Sequence, residues 1–202
     1  MVKPMATEKL ERIKKKLSES SVGIAGAGGL GSNAAVSLAR AGIGRLVIVD
    51  FDKVEESNLN RQYYFRDQLG KVKVEALKEN INRIYPSVKI DIFNEKLTKD
   101  SMDKFFHDVD IIIEALDSAE MKTSFVEEIM HKLPDKPIIA ASGVAGYGHS
   151  DRIVTKKLGN LYMVYDGKAR SSEDDVLMAP RVVLMANWEA NLVLELLLGD
   201  DK

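Results

Sequence analysis

The sequence predicts an α/β fold, a mainly parallel sheet flanked by helices, and three observations carry that prediction. Short apolar runs alternate with helical patterns along most of the chain, as expected of strand and helix units wound about a parallel sheet. A glycine-rich turn stands between the first apolar run and the first helical pattern. Two later apolar runs end in an acid, Asp50 and Asp117, where a strand would give out onto a loop.

Taken in order, Val22 to Ala27 reads as a strand and the small residues from about Leu30 to Ala41 as the helix behind it. Leu46 to Asp50 is the second strand, and the polar stretch from Phe51 to Leu69, with no clean period, is expected to be a long loop with short helical pieces. From Val72 to Ile84, the spacing of Val74, Leu77, Ile81 and Ile84 puts apolar groups on one face of a helix, which Pro86 stops. Val88 to Phe93 alternates as a strand does, Met102 to Phe106 is expected on a short helix, and Val109 to Leu116 is a strand closed by Asp117. Met121 to Leu133 reads as helix and Ile138 to Ala141 as a buried strand. After Gly143 the pattern changes: Arg152 to Lys157 and Leu161 to Tyr165 flank the hairpin signal Gly159-Asn160, so antiparallel strands are expected toward the C-terminus. Lys168 to Met178 is polar and aperiodic, the composition of a mobile loop able to cover a site. Arg181 to Leu198 reads as a long apolar helix packing on the core or on a second subunit. With no internal repeat or linker, residues 1–202 are expected to form one domain.

Composition narrows the chemistry. An apolar fraction of 45% and a charged fraction of 30% are those of an ordinary globular protein. The net charge of -2, from 29 basic and 31 acidic side chains, supplies no global positive field, so a nucleic-acid partner is not expected. Lys14, Lys15 and Lys16 alternate with Glu8, Glu11 and Glu19, as on a solvated helix face. No long apolar run or leader is present, so no membrane attachment is expected and the location is expected to be cytoplasmic. The absence of cysteine removes disulfides, Cys-based zinc sites and a thiol nucleophile from these 202 residues. No zinc is expected, and the scattered His107, His131 and His149 are expected on the surface.

Gly26-Ala27-Gly28-Gly29-Leu30-Gly31 satisfies G-x-G-x-x-G between a predicted strand and a predicted helix. Such a turn lets the backbone approach phosphate closely, while the helix start offers free N–H groups and the positive end of its dipole. Asp50, 19 residues beyond Gly31, stands where an acid can accept from ribose hydroxyls. Together these predict a nucleotide on a Rossmann-like sheet. They leave open whether it is NAD in an oxidoreductase or a mononucleotide.

A triphosphate on a helix start needs further cations, because the dipole neutralises only about half a charge. Arg61 offers a planar fork for phosphate oxygens, Lys73 a compact point charge, and Asn58 a neutral donor. Asp117 suits either a metal or the N-cap of the next helix, and Asp52 either the ligand or a cap of the polar loop.

The string GAGGLGS at 26–32, DFDxVExSNLNRQ at 50–62 and GxxK at 70–73 resembles the adenylating domain of the ThiF, MoeB and ubiquitin-activating-enzyme superfamily, over roughly residues 20 to 145. The SNLNRQ block is the more discriminating part. The resemblance implies ATP and Mg²⁺ as cofactors, held by Gly26, Gly28, Gly29, Leu30, Gly31, Asp50, Asp52, Asn58, Arg61, Gln62 and Lys73. Within that set it implies Asp50 on the ribose, Asn58, Arg61 and Lys73 on phosphates, and Asp117 on the metal, with Arg61, Lys73 and Asp117 carrying catalysis. The implied reaction is attack of a carboxylate on the α-phosphate of ATP, with pyrophosphate leaving. The implied substrate is the C-terminal glycine of a small ubiquitin-like sulfur-carrier protein ending in Gly-Gly, in thiamine or related sulfur chemistry. An ionised carboxylate needs no general base, so the lack of a Ser-His-Asp set is no obstacle. Many relatives carry a catalytic cysteine and a zinc held by CxxC pairs; this chain has neither, which fits a compact ThiF-like branch and requires a separate sulfur donor. Relatives are commonly dimers, so a homodimer is expected, with no role assigned to Arg12. The competing readings are an NAD-dependent oxidoreductase, adenylation of a carboxylate on modified tRNA, and a nucleotide-dependent scaffold without activity.

Overall fold

The computed structural model describes residues 4–168 and 175–199. Along the chain come helix α1 (Pro4–Ser18), strand β1 (Ser21–Ala25), α2 (Gly29–Ala41), β2 (Arg45–Val49), α3 (Lys73–Ile84) and β3 (Lys89–Phe93). They are followed by β4 (Ile111–Glu114), α4 (Ala119–Lys132), β5 (Ile138–Ser142), β6 (Val154–Leu158), β7 (Leu161–Tyr165) and α5 (Ala179–Leu198). Short 3-10 turns occupy Glu56–Asn58 and Arg66–Gln68, the helical pieces expected in the long polar loop, and Ser150–Arg152.

The strands form one seven-stranded sheet in the order β3-β2-β1-β4-β5-β7-β6. All neighbours run parallel except β6, which returns antiparallel to β7 across the Gly159-Asn160 turn. The other arm of that hairpin, β7, lies parallel to β5, so the change of direction is confined to the edge strand. The central strands SVGIA, RLVIV and IIIE are buried almost throughout, as strands covered on both faces must be. One face carries α2, α3 and α5 on a core that includes Ile24, Leu38, Leu77, Ile81, Met185 and Val193. The other carries α4, with Phe125 and Ile129, and a segment that delivers Leu97, Met102, Phe106 and Val109.

That segment departs from expectation. Residues 102–106 form successive turns and not a helix. Thr98 O accepts from both Ser101 N and Met102 N, and Lys104 O is taken by the His107 ring, so local bonds replace a continuous ladder. Packing supplies the reason: the adjacent rings serve different neighbours on the same core, Phe105 partly buried against Phe93 and Phe106 fully buried against Phe125. The Phe106 ring fills the space left by Gly23, where an added Cβ would stand 2.5 Å from Cδ1.

His107, His131 and His149 are exposed, as expected. Among the described residues no helix is long and apolar enough to cross a membrane. The loop expected at 168–178 lies mostly outside the described residues; its described end, 175–178, runs beside Gly146, whose N–H donates to Val176 O at 2.8 Å.

α5 packs on α2, β5, β7 and α1, and its buried face of Val182, Met185, Ala186, Ala190 and Val193 includes one acid, Glu189. Glu189 is 0% exposed, and neither carboxylate oxygen meets a hydrogen-bond donor among the described residues. Burial pushes this carboxyl well above its ordinary range, against a weaker pull from Lys122. A raised folded-state value means that the folded form holds a proton the unfolded chain has released, so stability falls as pH rises above the ordinary value. Glu189→Gln is therefore expected to stabilise the protein increasingly with pH, by about 1.4 kcal/mol per pH unit between the ordinary and raised values. Urea unfolding of both proteins from pH 4 to pH 8 measures it, and the two curves should meet at the acid end.

Candidate active site

A cleft of about 1030 Å³ opens at the carboxyl ends of β1, β2, β4 and β5, where strand order reverses between β1 and β4. Ligands of open α/β sheets bind at such a switch point. Its floor is the glycine turn. Gly26 takes φ 101° and donates to Val49 O at 2.8 Å, and a Cβ there would stand 2.6 Å from Ala115 O. Gly31 lies behind the turn and does not line the cleft; a Cβ on it would fall 1.9 Å from Gly26 O. Its absence of a side chain is what lets α2 start so close to the turn. Among the described residues no side chain caps α2, whose N-cap is Gly28, so the N–H groups of its first turn are open to a ligand.

Asp50, at the end of β2, lines the cleft and braces it. Its Oδ2 accepts from Ala27 N at 2.6 Å and its Oδ1 from Asp52 N at 2.7 Å. Burial raises the Asp50 carboxyl above its ordinary range, with the two backbone N–H groups and Lys73 acting the other way. From the opposite side of the turn, the Tyr64 hydroxyl donates to Ala27 O at 2.7 Å.

The polar loop after β2 is folded back so that its two ends meet. Val54 N donates to Lys71 O, Gly70 N to Val54 O and Lys73 N to Asp52 O, all at 2.9 Å. This brings the start of α3 beside Asp52, whose Oδ2 lies 2.7 Å from Lys73 Nζ. Lys73 is 6% exposed and still reaches the cleft. The same loop presents Asn58, Arg61 and Gln62. Asn58 is buried, with its Oδ1 accepting from Glu55 N. Arg61 Nη1 is steadied by Ser57 O at 3.0 Å and Asn60 Oδ1 at 2.8 Å, and its stem runs beside Gly29. Asn33 Nδ2 donates to both Gly29 O and Arg61 O, tying the loop to α2. Gln62 is buried next to Gly28, and its Oε1 has no hydrogen-bond partner among the described residues.

Asp117 lies exposed on the cleft wall beyond β4. The N-cap of α4 is its neighbour Ser118, whose hydroxyl accepts from Met121 N at 3.1 Å, so the capping role considered for Asp117 belongs to Ser118. The carboxylate of Asp52, likewise, meets Lys73 and does not cap its own loop. Among the described residues no group of three or more His, Cys, Asp or Glu could hold a metal unaided. Mg²⁺ binds through one or two carboxylates together with water and substrate phosphates, and the exposed carboxylate of Asp117 on the cleft wall fits such a donor set.

All the residues expected at the ligand, Gly31 excepted, therefore line one cleft. The sequence reading missed its far wall and two supports. The far wall is Ser142, Gly143, Val144 and Ala145 at the end of β5, with Leu177. One support is Glu114, 1% exposed, whose carboxylate receives Lys122 Nζ at 2.9 and 3.1 Å and Leu116 N at 2.7 Å, bracing the chain just before Asp117. An acid inside the apolar run IIIEAL was the available signal. The other is Arg181, 4% exposed at the start of α5, bonded to Asp166 at 2.8 Å.

Comparison with known proteins agrees with this fold. The ThiF family model matches residues 4–202. Ubiquitin-like modifier-activating enzyme 5 of Drosophila ananassae is 34% identical over 132 residues, 58% of this chain and 33% of that protein. The chain thus spans about a third of the length of such curated relatives. In fold it is similar to E. coli tRNA N6-threonylcarbamoyladenosine dehydratase, TcdA, solved with AMP, with a TM-score of 0.86 at 21% identity over 96% of this chain and 93% of that one. It is also similar to E. coli MccB in complex with AMPCPP and MccA, with a TM-score of 0.72 at 24% identity over 92% and 57% of the two chains.

With Lys122→Met, Glu114 is left buried without its counter-charge. The variant is expected to lose about 3–5 kcal/mol at pH 7. Burial already raises the Glu114 carboxyl against the pull of Lys122, so the loss should shrink toward pH 4, where the acid carries its proton. Urea unfolding at the two pH values measures both.

Proposed function

The chain belongs to the ThiF family, and from that membership we propose that it binds ATP with Mg²⁺ in the β1–β4 cleft and adenylates a carboxylate, the C-terminal glycine of a small ubiquitin-like sulfur-carrier protein ending in Gly-Gly. The observation that carries the proposal is the meeting, in one cleft, of the uncapped start of α2, the acid Asp50 and the cations Arg61 and Lys73. An acid for ribose, free amides for phosphate and two cations for the outer phosphates are what a triphosphate asks of a protein. The relatives support the nucleotide: TcdA has been solved with ATP as well as AMP, and MccB with AMPCPP. The ubiquitin-like modifier-activating enzyme supports a ubiquitin-like protein as the partner.

In this reading the ribose hydroxyls donate to Asp50, and the triphosphate lies over the amides that open α2. Asp117 would hold Mg²⁺, which supplies positive charge to the phosphate oxygens when bound. A carboxylate oxygen attacks the α-phosphorus and forms the acyl-adenylate bond as the bond to the bridging oxygen breaks and pyrophosphate departs. Arg61 and Lys73 neutralise the charge that gathers on the leaving group. Their contribution rests on orientation already in place, Arg61 through Ser57 and Asn60 and Lys73 through Asp52, so little reorganisation is needed as the charge moves. The carboxylate arrives ionised and no proton has to be taken. These residues include no cysteine, so sulfur comes from a separate donor. A homodimer and a cytoplasmic location belong to the same reading.

Pyrophosphate exchange into ATP, dependent on a peptide ending in Gly-Gly, is the expected activity. Arg61→Ala and Asp117→Ala should each lower it about 10²- to 10³-fold, the usual effect of removing one transition-state contact, with unchanged circular dichroism. Exchange dependent on tRNA, NAD binding in place of ATP, or ATP binding with no exchange would each replace the proposal.

A further inference from the structure

We propose that Arg181 is a positioning residue that fixes the loop of residues 143–148 as the wall against which the carboxylate substrate is held, an inference that rests on the adenylation reading. The cleft crosses the sheet from β2 to β5. Asp50 and the phosphate cations stand on the β2 and β1 side, and Asp117 follows β4. The β5 end, one strand further, is lined by Ser142, Gly143, Val144, Ala145 and Leu177, none of them charged. An uncharged wall of main chain and mostly small side chains suits an extended tail of small residues.

That wall does not hold itself. Gly143 and Gly146 take φ 74° and 88°, and His149, a non-glycine residue, sits in left-handed backbone at φ 52°. Such a run of reversals needs an outside restraint, and Arg181 provides it. Its Nη2 donates to Gly143 O at 3.0 Å and its Nη1 to Gly148 O at 3.0 Å, so one planar fork spans both ends of the loop. Asp166 Oδ2 receives the same Nη2 at 2.8 Å and Arg152 Nη2 at 3.2 Å. The middle of the loop is pinned separately, by the Gly146 N–H on Val176 O.

The position of Arg181 is a second, independent indication. It lies in the first turn of α5, where the helix dipole disfavours a cation, and it is buried there. A cation held against the dipole and out of water is explained by the carbonyls and carboxylate it gathers. Its neighbour Val182 faces the phosphate turn, where a Cβ on Gly29 would come 2.9 Å from Val182 Cγ1. The first turn of α5 thus touches both walls through adjacent residues.

The test measures, for wild type, Arg181→Met and Arg181→Lys, the ATP Kd by calorimetry without peptide, the KM of a peptide ending in Gly-Gly in pyrophosphate exchange, and amide hydrogen exchange at Gly146. Both variants are expected to keep ATP Kd within twofold, to raise the peptide KM at least tenfold and to speed exchange at Gly146 at least tenfold. Lysine keeps the charge facing Asp166 and loses the fork, so it also serves if the methionine variant does not fold. An equal rise in ATP Kd and peptide KM, unchanged protection of Gly146, or full retention of the peptide KM by Arg181→Lys would overturn the proposal. If wild type shows no exchange with any such peptide, the adenylation reading fails and the wall assignment with it, while Gly146 protection still reports whether Arg181 anchors the loop.

Discussion

Parallel pairing sends the carboxyl ends of β1, β2, β4 and β5 to one edge of the sheet, and the reversal of chain order between β1 and β4 parts the loops that leave it. A crevice at that point is a consequence of connectivity before any side chain is chosen. What the side chains add is charge. The glycine turn and the start of α2 supply partial positive charge, and the long loop after β2 delivers Arg61 and Lys73 to the same place. The loop can do so because its ends pair with each other through Val54, Lys71, Gly70 and Asp52, which converts a polar stretch without periodicity into a fixed platform.

Three ion pairs around the cleft share one design. Lys73 with Asp52, Lys122 with Glu114 and Arg181 with Asp166 each keep at least one member buried and each steady a segment that reaches the cleft. Buried pairs are weak contributors to net stability, because desolvation consumes most of the attraction. Their value lies in geometry: a side chain or loop already in place when charge moves spends nothing on rearrangement. Glu189, an acid in the apolar face of α5 within electrostatic reach of the Lys122–Glu114 pair, meets no hydrogen-bond donor among the described residues.

Much of this was legible in the residues. Apolar runs and periodicity placed every strand within a few residues, and the G-x-G-x-x-G turn with Asp50 located the crevice, because strand ends and phosphate turns are local features. The successive turns at 102–106 were not legible as such, since two adjacent phenylalanines serving different neighbours are a tertiary demand that overrides a helical pattern. Nor was the choice between Ser118 and Asp117 as cap, which depends on which oxygen reaches Met121 N. The wall at 143–145 and its clamp escaped notice for a related reason. Arg181 looks like the first polar residue of an apolar helix, and its partners lie 15 to 38 positions away in the chain.

Asp50 has a consequence for how this site can be dissected. Its two oxygens each hold a backbone N–H, Ala27 N in the glycine turn and Asp52 N in the polar loop, so the carboxylate proposed to meet the ribose is also the clasp between those two segments. Exchanging it for asparagine would turn the amide NH₂ toward one of those N–H donors and spring that clasp. An inactive variant at this position would therefore report a deformed cradle as readily as a lost sugar contact, and the ribose interaction is better isolated by removing a hydroxyl from the nucleotide than by altering the protein.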